Sequence, residues 1–123
     1  MAEIRNTKKY DLEDRCLKFA KRTRDFVMKL PKSISNLEYG KQLLRSSGSV
    51  GANYIEANES LGRKDFFMRI KICRKESKES DYWLSLVEPD QKEAMERDSL
   101  IQESVELRKI FGAISEKSKS SIV

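Results

Sequence analysis

The chain has 123 residues, of which 38% are hydrophobic and 37% charged, with a formal net charge of +5. That length and apolar content suit one domain with one core. Five Gly and two Pro are too few for the turns of an all-β fold of this size, and the absence of histidine excludes His-based general bases, the Ser-His-Asp triad and the Glu-x-x-His sites of di-iron bundles.

The opening residues Met1 to Arg15 contain no apolar leader core, and no stretch is apolar for the roughly 18 residues of a membrane span. A soluble, cytoplasmic protein without membrane association is therefore expected. From Asp11 the positions Leu12, Cys16, Phe19, Thr23, Phe26 and Leu30 recur every three or four residues, which predicts a helix over about 11–30 ended by Pro31. Residues 1–10 read as a flexible tail.

Ser33 or Ser35 can cap a second helix over about 36–60. Its apolar side is broad, with Leu37, Leu44, Gly51 and Ile55 on one edge and Leu43, Val50, Tyr54 and Leu61 on the other. The stretch Ser46 to Ala52 is rich in small residues, and each glycine inside a helix costs about 1 kcal/mol relative to alanine. Close approach to another helix offsets that cost; a break in the helix or a ligand contact are the alternatives.

A third helix over about 63–88 carries the most regular seam, Phe66, Ile70, Cys73, Ser77, Ser80, Leu84 and Val87. Pro89 ends it. A fourth, over about 91–116, presents Leu100, Ser104, Leu107, Phe111 and Ile114, followed by a frayed tail at 117–123. Short connectors between long helices imply antiparallel neighbours, so the expected fold is all-α, an antiparallel up-down-up-down four-helix bundle forming a single domain over 1–123.

Two cysteines in separate helices, without CxxC spacing, read as reduced core residues. No metal site, phosphate-binding glycine loop, catalytic residue, cofactor or small-molecule substrate is expected. Glu76 and Glu79, beside Lys75 and Lys78, are expected to form salt bridges rather than perform acid-base chemistry.

Charge is distributed unevenly. Residues 1–78 carry 19 Lys/Arg against 10 Asp/Glu, whereas 79–123 carry 6 against 10, so the first three helices form the basic part and the fourth is acidic. Lys64, Lys71, Lys75 and Lys78, flanked by Arg63 and Arg74, fall opposite the seam of the third helix at about 100° per residue. Arg15, Lys18, Arg22 and Lys29 form a second strip on the first helix. Both could neutralise phosphates, and both could simply keep a bundle soluble. Met68, Ile72, Trp83 and Leu86, interleaved with Glu79, form a further apolar side of the third helix. It either anchors a neighbouring subunit or, at Trp83, covers the end of its own core.

The segments Leu12 to Leu30, Gln42 to Ala57 (QLLRSSGSVGANYIEA) and Lys64 to Val87 (KDFFMRIKICRKESKESDYWLSLV) resemble the four-helix bundle proteins encoded in intervening sequences of bacterial 23S ribosomal RNA genes. The fourth helix matches that pattern only in length and period. The resemblance implies a ring-shaped homopentamer, and kinship with the accessory variability protein of diversity-generating retroelements, which partners a reverse transcriptase and RNA. Arg45 and Asn53, with Glu79, Tyr82 and Trp83, occupy the family's recurring polar and aromatic positions. Arg45 thereby joins the candidate nucleic-acid contacts, and Glu79 and Tyr82 join the candidate subunit interface. The resulting expectation is a non-enzymatic, ring-forming protein that binds nucleic acid, RNA foremost. The alternative is a scaffold that docks an acidic or reverse-transcriptase-like protein.

Overall fold

In the computed structural model, which describes residues 7–120 and the side chains of 11–119, four helices form an all-helical bundle: α1 (Thr7–Met28), α2 (Ile34–Asn58), α3 (Arg63–Leu86) and α4 (Ala94–Ser120). A single 3-10 turn, Gln91–Glu93, leads into α4. The outer helices are longer than the apolar periodicity alone indicates. α1 begins at Thr7 and α4 runs to Ser120, because polar residues such as Lys8 and Lys9, and Lys117 and Ser118, give no apolar signal yet sustain the backbone ladder. The remaining parts of the two tails, 1–6 and 121–123, lie outside the described residues.

The α1 stripe reaches the core as its spacing dictates: Leu12, Cys16, Phe19, Thr23 and Phe26 are buried, and Leu30 packs against them half-exposed. The α3 seam follows suit from Ile70 to Val87, with Phe66 at its margin. α4 contributes Leu100, Leu107 and Phe111, with Ile114 at its edge. Ser46 of α2 and Ser80 of α3 meet through a 2.8 Å hydrogen bond, and Ser77 and Ser80 also donate to the carbonyls of Cys73 and Glu76 on their own helix. These hydroxyls are too small to hold helices apart and are satisfied without water, so α2 and α3 approach closely.

Only one edge of the apolar side of α2 enters the core. Leu43, Val50, Tyr54 and Ala57 are buried, while Leu37, Leu44 and Ile55 remain 59%, 40% and 51% exposed, and Leu61 lies outside in the α2–α3 connector. The small-residue stretch continues as unbroken helix and serves close packing. A Cβ on Gly51 would sit 3.1 Å from Cys16 Cβ, so α1 crosses directly over this glycine.

Chain order is also packing order. α2 packs extensively on α3 and α3 on α4, α1 packs on α2, and the α1–α4 contact is the thinnest of the four. Ion pairs span that thin side: Arg15 donates two bonds to Glu103 at 2.7 and 2.8 Å, Arg22 two to Glu96 at 3.2 and 3.0 Å, and Lys29 lies 4.0 Å from Glu93. The acidity of the fourth helix is thus used within the molecule.

One end of the bundle is fixed by Asn36. Ser33 caps α2 by accepting from the Asn36 amide, and the Asn36 side chain donates to the carbonyls of Pro31 and Glu88 and accepts from the Glu88 amide. A buried carboxamide with these three bonds ties the α1–α2 connector to the α3–α4 connector.

Candidate nucleic-acid interface

A helix one face of which is buried must present the residues 100° to 180° away to solvent. On α3 those are Lys64, Met68, Lys71, Lys75, Lys78 and Tyr82, spaced four, three, four, three and four apart and all exposed. Lys71 places its ammonium 5.3 Å from the centroid of the Phe67 ring, a cation–π contact that holds the side chain over the helix. Arg74 is exposed beside this line and reaches across to Gly112 of α4, whose Cβ position lies 3.7 Å from its Nε. Arg63, at the first position of α3, is exposed and already engaged in an interaction of its own. No carboxylate among the described residues lies within ion-pairing distance of Lys64, Lys71, Arg74, Lys75 or Lys78.

The α1 strip differs. Arg15 and Arg22 face the carboxylates of α4 described above and Lys29 that of Glu93 in the turn before it, and of this strip only Lys18 stands exposed without an ion pair among the described residues. The hydrogen bond from Arg15 to Glu103 raises the guanidinium pKa further, so that charge is permanent but locally compensated. Periodicity could place these residues on one flank of α1. It could not reveal that α4 stacks its carboxylates against them.

Between α2 and α3 the polar positions Arg45, Asn53 and Glu79 come together in one seam. Arg45 donates to Glu76 at 3.3 Å and to Glu79 at 3.0 Å, and Arg69 donates to Asn53 Oδ1 at 3.1 Å while Asn53 Nδ2 bonds the Ser49 carbonyl. The ion pairs of Glu76 and Glu79 therefore cross to α2 instead of going to Lys75 and Lys78. Residues adjacent in sequence point about 100° apart on a helix and do not face each other, whereas Arg45 reaches the side of α3 that both carboxylates share. Glu76 is 6% exposed, and its Oε1 has no hydrogen-bond partner. Arg69 carries no motif of its own in the sequence, although its spacing from Ile72 and Glu76 places it on the α2-facing side.

The same seam ends in aromatic rings. Trp83 stacks on Tyr39 at 5.8 Å between centroids and meets Tyr82 edge-on at 5.1 Å. The apolar side of α3 thus divides. Ile72, Glu79, Trp83 and Leu86 are half-buried, Glu79 and Trp83 against α2, whereas Met68 and Tyr82 stand exposed on the lysine line. A tyrosine and a methionine among lysines give a surface that can neutralise phosphates and also offer a stacking face for an unpaired base. Among the described residues no group of three or more Cys, Asp or Glu side chains is placed to hold a metal ion, and no helix is long and apolar enough to cross a membrane.

The pairing of Arg45 with Glu76 and Glu79 and the aromatic end of the seam rest on QLLRS and on ESKESDYW, and residues 8–113 match the family model described as 23S rRNA-intervening sequence protein. The chain belongs to this family. A crystal structure from the S23 ribosomal protein family, that of a protein of unknown function from Bacteroides thetaiotaomicron VPI-5482, is 31% identical in sequence. The alignment covers 89% of this chain and 98% of that one, with a TM-score of 0.76. No curated protein matches the sequence. Family membership fixes the bundle; neither the family description nor that structure states an activity for it.

Proposed function

We propose that this family member is a non-enzymatic, ring-forming protein, homopentameric as its resemblance implies, that binds RNA through the outer lysine line of α3 repeated around the ring. The observation that carries this reading is the contrast between the two cationic strips. Arg15 and Arg22 are matched by α4 carboxylates and Lys29 by Glu93 in the turn before α4, whereas Lys64, Lys71, Lys75 and Lys78 share one exposed line with Tyr82 and have no acidic neighbour in ion-pairing range among the described residues. Charge left uncompensated on one face is what a polyanion recognises, and a single subunit offers few such contacts, so repetition multiplies the attraction. Recognition of this kind depends strongly on salt and weakly on sequence, because the contacts go to phosphates.

Light scattering with and without a nonspecific single-stranded RNA, at low and at high salt, tests the reading. One species near five times the 14.3 kDa of one chain, gaining mass with RNA at low salt only, is the expected result. A particle of one-chain mass that ignores RNA at every salt concentration contradicts it.

A further inference from the structure

A second surface lies along α1 and α2, and its chemistry differs from that of the lysine line. The residues where these helices touch are known from their contacts: Glu13 accepts from Asn58, Cys16 lies under Gly51, and Val27 lies under Gly40. Leu17 and Met28 follow Cys16 and Val27 by one residue, about 100° round α1, and both are exposed. On α2, Leu37, Leu44 and Ile55 lie three or four residues from Gly40 and Gly51, on the same side of the helix but displaced outward. Together they border the α1–α2 seam from outside.

At the connector end this seam opens into a cavity of about 550 Å³ between Val27, Leu30, Leu37, Gly40 and Leu44. Gly40 forms its floor: an added Cβ would stand 3.3 Å from Val27 Cγ1. Along α2 its lining runs from Ile34 to Leu44, about 15 Å at 1.5 Å per residue, roughly three helical turns.

The rim is cationic. Lys32 and Lys41 flank the cavity, and Lys21 and Arg24 occupy the exposed side of α1 next to Leu17 and Met28. Asp25 pairs with Arg24 at 3.0 Å, and no carboxylate among the described residues is within ion-pairing distance of Lys21, Lys32 or Lys41. The core edge of α2 is already filled by Leu43, Val50 and Tyr54, so these outer leucines and Ile55 contribute nothing to the interior of their own subunit.

We propose that the α1–α2 seam is a docking groove for an amphipathic helix of another protein, one with aliphatic side chains at three- and four-residue spacing on its buried face and carboxylates along its flanks. The elongated concave shape takes a helix, the apolar trough takes the aliphatic face, and the lysine rim selects acidic flanks. The lysine line of this chain is a poor occupant. Met68, its exposed apolar residue, stands between Lys64 and Lys71, which would meet Lys32 and Lys41 with like charge.

A synthetic 20-residue helical peptide with leucines at that spacing and glutamates on both flanks, titrated calorimetrically into the full chain, tests the proposal. Saturable binding is expected, at least about tenfold tighter than for the same peptide with lysines on its flanks. Leu44→Glu and Lys41→Glu should each weaken it about tenfold or more. The triple variant K71E/K75E/K78E should bind the peptide as wild type does, which separates this groove from the RNA reading. Equal binding of both peptides, no saturable binding, or indifference to Leu44→Glu overturns the proposal. So does a fall in solution mass on Leu44→Glu with no peptide bound by wild type, since a second copy of the chain would then occupy the groove.

Discussion

Gly48 and Gly51 lie on the same helix within one turn of each other, and they answer to different constraints. A methyl group at Gly51 would press on Cys16 Cβ, an atom fixed by the α1 backbone, so the helices would have to separate. We expect Gly51→Ala to destabilise the protein by about 1–3 kcal/mol in urea unfolding, the usual cost of overpacking. Gly48 has open space at its Cβ position, and Gly48→Ala should stabilise by up to about 1 kcal/mol through helix propensity alone. Equal effects of the two substitutions would show that the close approach is not what Gly51 serves. The cysteines make a second residue-scale case. Burial pushes the thiols of Cys16 and Cys73 up from 9.0 to about 12, so the folded state favours the neutral form. Their contribution is intact below the unfolded-state value of 9.0 and declines as pH rises toward 12, because the unfolded chain then releases protons that the folded one retains. Native protein at pH 8 should resist alkylating reagents that label both thiols in denaturant; rapid native labelling would contradict this burial. The sequence reveals that both cysteines are core residues, since each falls on an apolar stripe. It does not reveal which glycine is under pressure, because that depends on where another helix crosses.

At the scale of elements, periodicity carries most of the structure. The inward positions of α1, α3 and α4 follow from their three- and four-residue spacing, and the connectors follow from Pro31, Gly62 and Pro89. The α2 helix marks the limit of that logic, since its apolar side is wider than one core can bury and only packing decides that Leu43 enters while Leu44 does not. Contacts between distant segments are equally hidden from periodicity. Nothing in SISNLEYG announces that Asn36 bridges to Glu88, and Asn36→Ala should cost about 2 kcal/mol, from lost hydrogen bonds and an orphaned Glu88 amide. A cost below about 0.5 kcal/mol in chemical denaturation would mean water replaces that bridge freely. The ion pairs along the thin α1–α4 side are half-exposed, and pairs of that kind contribute modestly. Glu103→Gln should therefore lower stability by no more than about 1 kcal/mol, and added salt should shrink the difference from wild type.

Across the whole molecule, charge sorts into two classes according to whether a partner helix compensates it. Formal charge counted along the chain gives a basic first part and an acidic last part, but it does not tell which cations a neighbouring helix compensates. Carboxylates of α4 and of the turn before it pair with Arg15, Arg22 and Lys29 of α1, whereas the lysines on the outer line of α3 beside Tyr82 have no such partner among the described residues. This surface carries the proposed function, and the lysine spacing on α3 is legible in the amino-acid sequence because it repeats every three or four residues. The compensation of α1 is not legible there, because it depends on the order in which helices close the bundle. The direct measurement is the affinity for a fluorescently labelled single-stranded RNA across a series of salt concentrations, for wild type and for K71E/K75E/K78E. All three lysines are exposed, so the variant should keep its helical content and unfolding midpoint. Wild-type affinity should fall steeply with salt, by about 0.7 in log–log slope for each phosphate neutralised, and the variant should lose both the affinity and most of that slope. A folded triple variant that binds RNA as tightly as wild type, with the same salt dependence, would contradict the assignment of RNA binding to this face.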